Sequence, residues 1–241
     1  MERKLFLKNS FGLIGISSIL LNSCSKSGSM ADTTTTDSTS GTGSCVVTNT
    51  ETDGPYPLYT SRGSTIQRVD ITDGKTGLPL NMTFTIYNTN NNCNLLSNAR
   101  VDIWHCDKDG YYSGYVNTGY LGSQDNTTAT FCRGIQYTDT NGQVKFTSIY
   151  PGWYTGRITH IHAQIYLSST LKLTTQIAFP DAINTAVYNT SLYTAHGQNT
   201  SVANNAADQI FSDGYSNELA TLTANSTTGG YNLTHSIYVA A

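Results

Sequence analysis

Apolar residues in this chain recur at every second position. Met82, Phe84 and Ile86 form one such run, Val101, Ile103 and His105 continue the pattern, Val144 and Phe146 repeat it, and Ile161, Ala163, Ile165 and Leu167 give the longest stretch. A period of two puts alternate side chains on one face of a strand, whereas a helix would need a period near 3.6. Asp73-Gly74, Asp109-Gly110 and Asn141-Gly142 punctuate these runs with turn signals. Many short strands, each with one face to bury, must close into sheets packed against each other. The sequence therefore predicts an all-β fold, an antiparallel β-sandwich with long loops. The segment from Asp181 to Gly230, rich in Asn, Thr and Ala, reads as loops packed over that sandwich, with a short helix around Asn204 to Phe211. There is no internal repeat.

The first 44 residues lie outside this pattern. Arg3, Lys4 and Lys8 precede an apolar run from Phe11 to Leu21 that ends in Leu21-Asn22-Ser23-Cys24. The run is too short to span a bilayer and has the build of a signal peptide. The closing tetrapeptide resembles a bacterial lipobox. The expectation is a signal segment over 1–24, with lipid on Cys24 anchoring an exported chain to a membrane; an ordinary secretory signal cleaved elsewhere is the alternative. Residues 25–44 are Ser, Thr, Gly and Asp with almost nothing to bury, so they read as a flexible tether. One domain follows over 45–241, long enough for a full core. A net charge of −3 and the scarcity of Lys and Arg clusters argue against a nucleic-acid partner.

Of the five cysteines, Cys45, Cys93, Cys106 and Cys132 belong to that domain. An even number in an exported domain predicts disulfides. The preferred pairing is Cys45 with Cys93 and Cys106 with Cys132, because the last two lie in strand-like segments that could be neighbours; free buried thiols are the alternative.

The residues that carry chemistry cluster around the run Tyr150-Pro151-Gly152-Trp153-Tyr154-Thr155-Gly156-Arg157-Ile158-Thr159-His160-Ile161-His162. His160 and His162 sit two apart on an extended segment, so both imidazoles leave the same face of a strand and can clip a metal. No cysteine pair or His-Glu helix motif accompanies them, but tyrosines do: Tyr154 nearby and Tyr111-Tyr112 upstream. A phenolate is a hard anionic donor that forms at neutral pH only beside a strong cation. Ferric iron suits that donor set better than zinc, magnesium or a thiolate-seeking metal.

At these residues the chain resembles the intradiol ring-cleavage dioxygenases, the family that includes catechol and protocatechuate dioxygenases. The resemblance is carried by Asp53-Gly54-Pro55-Tyr56, Ala99 through His105, Gly110-Tyr111-Tyr112-Ser113, Arg133 through Asp139, and Pro151 through His162, in the family's order. It implies a β-sandwich with the metal site among the loops at one end. It implies Fe(III) held by Tyr112, Tyr154, His160 and His162, with Tyr154 and His160 axial and Tyr111 as the fallback for Tyr112. The implied reaction uses O2 to cut a catecholic ring between its two hydroxylated carbons, Tyr154 taking up a substrate proton as the diol arrives. Arg157 would stabilise developing negative charge, Gln176 would support Arg157, and Tyr56 and Trp153 would wall the substrate pocket. The helical N-terminal region that the catechol-cleaving branch uses to dimerise has no counterpart here, so a monomer is expected.

Bland readings compete at some positions. Gln176 could be a polar residue of a solvent-facing strand, His105 reads as a structural hydrogen-bonder, and His196 and His235 carry no motif. Two rivals stand beside the dioxygenase as a whole. A catalytically silent β-sandwich binding an aromatic or carbohydrate ligand at the cell surface would predict a lost metal ligand. A zinc hydrolase using the two histidines lacks an evident carboxylate partner.

Overall fold

The computed structural model describes residues 45–57 and 65–241. The signal, lipobox and tether readings on residues 1–44 fall outside them. Eleven strands and one α-helix are present among the described residues. The strands are β1 (Pro79–Asn88), β2 (Asn94–Leu95), β3 (Arg100–Trp104), β4 (Val116–Gly119), β5 (Gly122–Asp125), β6 (Arg133–Tyr137), β7 (Gln143–Ile149), β8 (His160–Leu167), β9 (Thr170–Ala178), β10 (Thr221–Asn225) and β11 (Gly230–Val239), with α1 (Asp181–Tyr188) between β9 and β10.

One sheet runs β10-β11-β1-β2, with β7 sharing the β2 side of β1, and the other runs β6-β3-β8-β9; β4 and β5 form a separate hairpin. The alternation read from the sequence is what packs them together. Leu80, Met82, Phe84 and Ile86 of β1 and Leu233 and Ile237 of β11 meet Val101, Ile103, Ile161, Ala163, Ile165 and Ile177 from the second sheet in one buried core. The pairings are antiparallel with one exception. β1 and β11 run parallel, from Leu80 opposite Tyr231 to Asn88 opposite Val239, because the last strand returns to the first across the whole domain rather than through a hairpin.

The segment read as loops holds more regular structure than expected. Its α-helix is α1, which starts directly after Pro180, a residue whose fixed φ suits a helix entrance. Around Asn204 to Phe211 there are only single 3₁₀ turns, at Asn205–Ala207 and Phe211–Asp213. β10 pairs with β11 near the end of the same segment.

A disulfide joins Cys45 to Cys93. Cys106 and Cys132 are free and buried, which corrects the second expected pairing. Register explains it. Trp104 opposes Arg133 across β3 and β6, and the next bond runs from His105 N to Cys132 O, so Cys106 is one step out of line with Cys132. Their side chains enter different clusters, Cys106 among Trp104, Tyr112 and Ile135, and Cys132 among Phe131 and Ile149.

Candidate metal centre

The outer face of the second sheet buries polar residues where a sandwich would ordinarily meet water. Since Ile161, Ala163 and Ile165 of β8 point into the core, His160, His162 and Gln164 must point outward, and all three are buried. Trp104 of β3 and Gln176 of β9 are the direct cross-strand partners of His162 and share its face. The Trp104 indole lies parallel to the His162 ring, centroids 4.9 Å apart.

Two turns bring tyrosines over this face. Asp107 shapes the first: its Oδ1 accepts from the backbone N–H groups of Asp109 and Tyr111, and its Oδ2 takes Lys75 Nζ at 2.7 Å. The second turn, 150–157, lies tight against the first, with Gly152 N bonded to Asp107 O. The contact demands glycine on both sides. A Cβ on Gly110 would sit 2.3 Å from Trp153 O, and one on Gly152 would sit 2.3 Å from Lys108 O. A third segment closes in through Gly54, whose φ of +68° and lack of Cβ let it approach the His162 ring. Arg133, buried, ties these parts together by donating to Ser113 O and Tyr56 O.

The result is a convergence of four donor atoms. Tyr112 Oη lies 3.3 Å from His160 Nε2 and 3.2 Å from His162 Nε2, Tyr154 Oη lies 3.4 Å from His160 Nε2, and the two Nε2 atoms are 3.1 Å apart. Tyr111 is excluded from the group, because its hydroxyl is engaged by Gly122 O and Leu121 N. His160 Nδ1 donates to Ile158 O at 2.6 Å, which leaves its Nε2 lone pair facing the other donors. Burial, assisted by the neighbouring Arg157 charge, holds both imidazoles well below their ordinary pKa, so they are neutral donors. Burial likewise raises the phenols, Tyr112 well above 10 and Tyr154 to about 12. Two buried phenols and two neutral imidazoles with no counter-charge between them fit a small hard cation. Their mutual spacing is what a common centre about 2 Å from each would impose. Among the described residues no group of three or more His, Cys, Asp or Glu side chains offers a competing metal site.

Arg157 is held beside this group with little freedom. Its Nη1 lies 3.5 Å from His160 Nε2, its Nη2 donates to Gln176 Oε1 at 2.6 Å, and its Nε donates to both carboxylate oxygens of Asp208 at 2.9 and 3.1 Å. Gln176 is itself fixed by donating to Thr52 O. The sequence reading had no signal for Asp208: the residue lies 51 positions from Arg157, in a 3₁₀-punctuated loop, and is fully buried. Its Oδ2 also accepts from Ile158 N and its Oδ1 from Ile210 N. His105 is the structural residue expected, bonded to Cys106 O and Ser148 Oγ.

Tyr56 stacks on Tyr112, centroids 4.9 Å apart, and lines with Trp153 and Tyr154 a cavity of about 550 Å³. His196, which carried no motif, lines the same cavity.

No family model and no curated protein sequence matches the chain. Solved structures do. The chain is similar to an intradiol ring-cleavage dioxygenase from Tetranychus urticae at 26% identity and a TM-score of 0.69, over 81% of this chain and 95% of that one. It shares its fold with the dioxygenase domain of a dioxygenase carbohydrate-binding protein fusion from Streptomyces sp. SirexAA-E, at 23% identity and a TM-score of 0.57 over 80% and 97% of the two chains. It also shares it with the 3-chlorocatechol 1,2-dioxygenase of Rhodococcus opacus 1CP, at 16% identity and a TM-score of 0.56 over 80% and 72%.

Proposed function

Since the chain belongs to the intradiol ring-cleavage dioxygenase family, we propose that it uses ferric iron and O2 to open a catecholic ring between the two hydroxylated carbons. The observation that carries this reading is the convergence of Tyr112, Tyr154, His160 and His162, whose donor atoms make four contacts of 3.1–3.4 Å. These four residues would hold Fe(III), which when bound makes the diol ring reactive toward dioxygen. Two phenolates offset two of its three charges, so the centre can stay buried.

The other residues act on the substrate. The diol would enter past Tyr56 and Trp153. Tyr154, the half-buried member of the donor group, is the one best placed to yield and accept a diol proton on its phenolate oxygen. Arg157 aims a fixed guanidinium into a water-poor site where negative charge develops. Asp208 and Gln176 set its orientation beforehand, so no reorganisation is needed during reaction. A silent binding module would have no use for this complete donor set or for the buried cation beside it. The N-terminal sequence supports placement outside the cytoplasm, tethered by lipid at Cys24.

The test combines metal analysis with a visible spectrum taken before and after catechol is added. One iron per chain, a phenolate-to-iron band that shifts with catechol, and aerobic oxygen uptake are expected. Stoichiometric zinc in the native protein and no band after ferric reconstitution would overturn the reading.

A further inference from the structure

The cavity that opens beside Tyr154 is much larger than a single benzenediol ring. At about 550 Å³ it falls within the range of roughly 300–1,000 Å³ that encloses drug-sized ligands. Part of its wall is an aromatic column. The His196 ring lies between Trp153 and Tyr120, with centroids 4.1 Å and 4.2 Å away and planes within 15° and 11° of parallel. The column is anchored at both ends: Trp153 Nε1 donates to Gly197 O at 2.9 Å, and Tyr120 Oη donates to Asp109 Oδ1 at 2.7 Å. Three separate loops supply these rings, so chain continuity does not account for the stack. Burial lowers the His196 pKa, which keeps the ring neutral near pH 7 and the stack a ring-on-ring contact.

The lining also says what the column would reject. Among the described lining residues the one carboxylate, Asp109, is already neutralised by Lys108 Nζ at 2.6 Å. Among the described residues no Lys or Arg lines the cavity, so a carboxylated or phosphorylated substituent would find no cationic partner in that lining.

We propose that this cavity is a second-ring subsite and that the substrates are uncharged diols bearing an aryl substituent, with His196 and Tyr120 as specificity-determining residues. The proposal rests on the dioxygenase reading for the first ring. The diol ring sits toward Tyr154 and Tyr56, and the second ring packs against the side of the column, its flat face over the edges of the stacked rings in the edge-to-face geometry that aromatic pairs favour.

The experiment compares kcat/KM for catechol, 4-phenylcatechol and 3,4-dihydroxybenzoate in the iron-loaded protein, followed by oxygen uptake. Wild type should favour 4-phenylcatechol over catechol and handle the carboxylate worst. In His196→Ala, and independently in Tyr120→Ala at an exposed residue, the 4-phenylcatechol to catechol ratio should fall roughly tenfold, the size of one good aromatic contact. A wild type that cleaves catechol without preferring the two-ring diol would overturn the subsite, as would variants that leave the ratio unchanged. Binding of 4-phenylphenol, which is not a diol, read by tryptophan fluorescence, separates the two readings. Tight binding that His196→Ala weakens supports the subsite even if no diol is cleaved, whereas absence of any cleavage by iron-loaded protein counts against the dioxygenase reading alone.

Discussion

Removing the Asp208 carboxylate separates the two roles of the Arg157 pair. Both side chains are buried, at 8% and 0% exposure, and the carboxylate accepts from Arg157 Nε, Ile158 N and Ile210 N. Asp208→Ala leaves a guanidinium without its counter-charge, and breaking a buried pair in this way costs about 3–5 kcal/mol. A domain of this size loses about 2–4 °C of Tm per kcal/mol, so Tm should fall by roughly 6–20 °C. The guanidinium also loses the partner that fixes its direction, and a displacement of order 1 Å at such a group lowers turnover by about 10²-fold. The double variant Arg157→Met with Asp208→Leu should behave differently. With both charges gone, most of the stability returns while turnover stays about 10²–10³-fold down, because the charge donor is absent. Thermal unfolding, the visible iron band and oxygen uptake on the three proteins measure all of this. The reasoning fails if Asp208→Ala keeps its band and its wild-type kcat, or if the double variant is no more stable than the single one.

Tyr112→Phe should abolish or strongly shift the phenolate-to-iron band, whereas Tyr111→Phe should keep it, since the Tyr111 hydroxyl serves Gly122 O and Leu121 N; absorption spectra after ferric reconstitution decide this. Burial, reinforced by Glu51, pushes the Glu218 carboxyl from 4.5 up to about 8. Between those values the folded chain keeps a proton that the unfolded chain has lost, so this group's contribution to stability falls as pH rises from 4.5 to about 8. Glu218→Gln, which cannot ionise, should therefore show a smaller drop in Tm between pH 5 and pH 8 than wild type in a buffer series. Cys24→Ser should release the protein from the membrane fraction without altering the folded domain, as checked by fractionation and mass spectrometry of the N-terminus.

Much of the sandwich could be read directly because its signal is local. Met82, Phe84 and Ile86, or Ile161, Ala163 and Ile165, announce a buried strand face within a few residues, and the structure buries those faces. α1 gave no such signal, for its eight residues hold too few apolar positions to show a period. The parallel return of β11 to β1 depends on contacts between residues about 150 positions apart, which no local pattern records. The Cys106 and Cys132 pairing failed for a related reason. The adjacency of their strands was legible, but the one-residue register offset that separates the thiols was not.

At the site the same distinction falls between ligand donors and the residues that hold them. His160, His162 and Tyr154 lie within nine residues of sequence, and their chemistry is visible there. What makes that chemistry workable comes from elsewhere. The outer face of β3, β8 and β9 carries two imidazoles and two glutamines, and such groups left open to water would be solvated rather than held in one geometry. The segment after β9 supplies the cover: Asn199 caps Arg157 O, Asp208 neutralises its guanidinium and His196 stacks on Trp153. Each of these contacts is made across about 40 to 50 positions by a residue with no motif of its own. A segment that reads as loop filler therefore fixes both the direction of Arg157 and the shape of the cavity. Substitutions in it should alter specificity and turnover while leaving the four donor positions untouched.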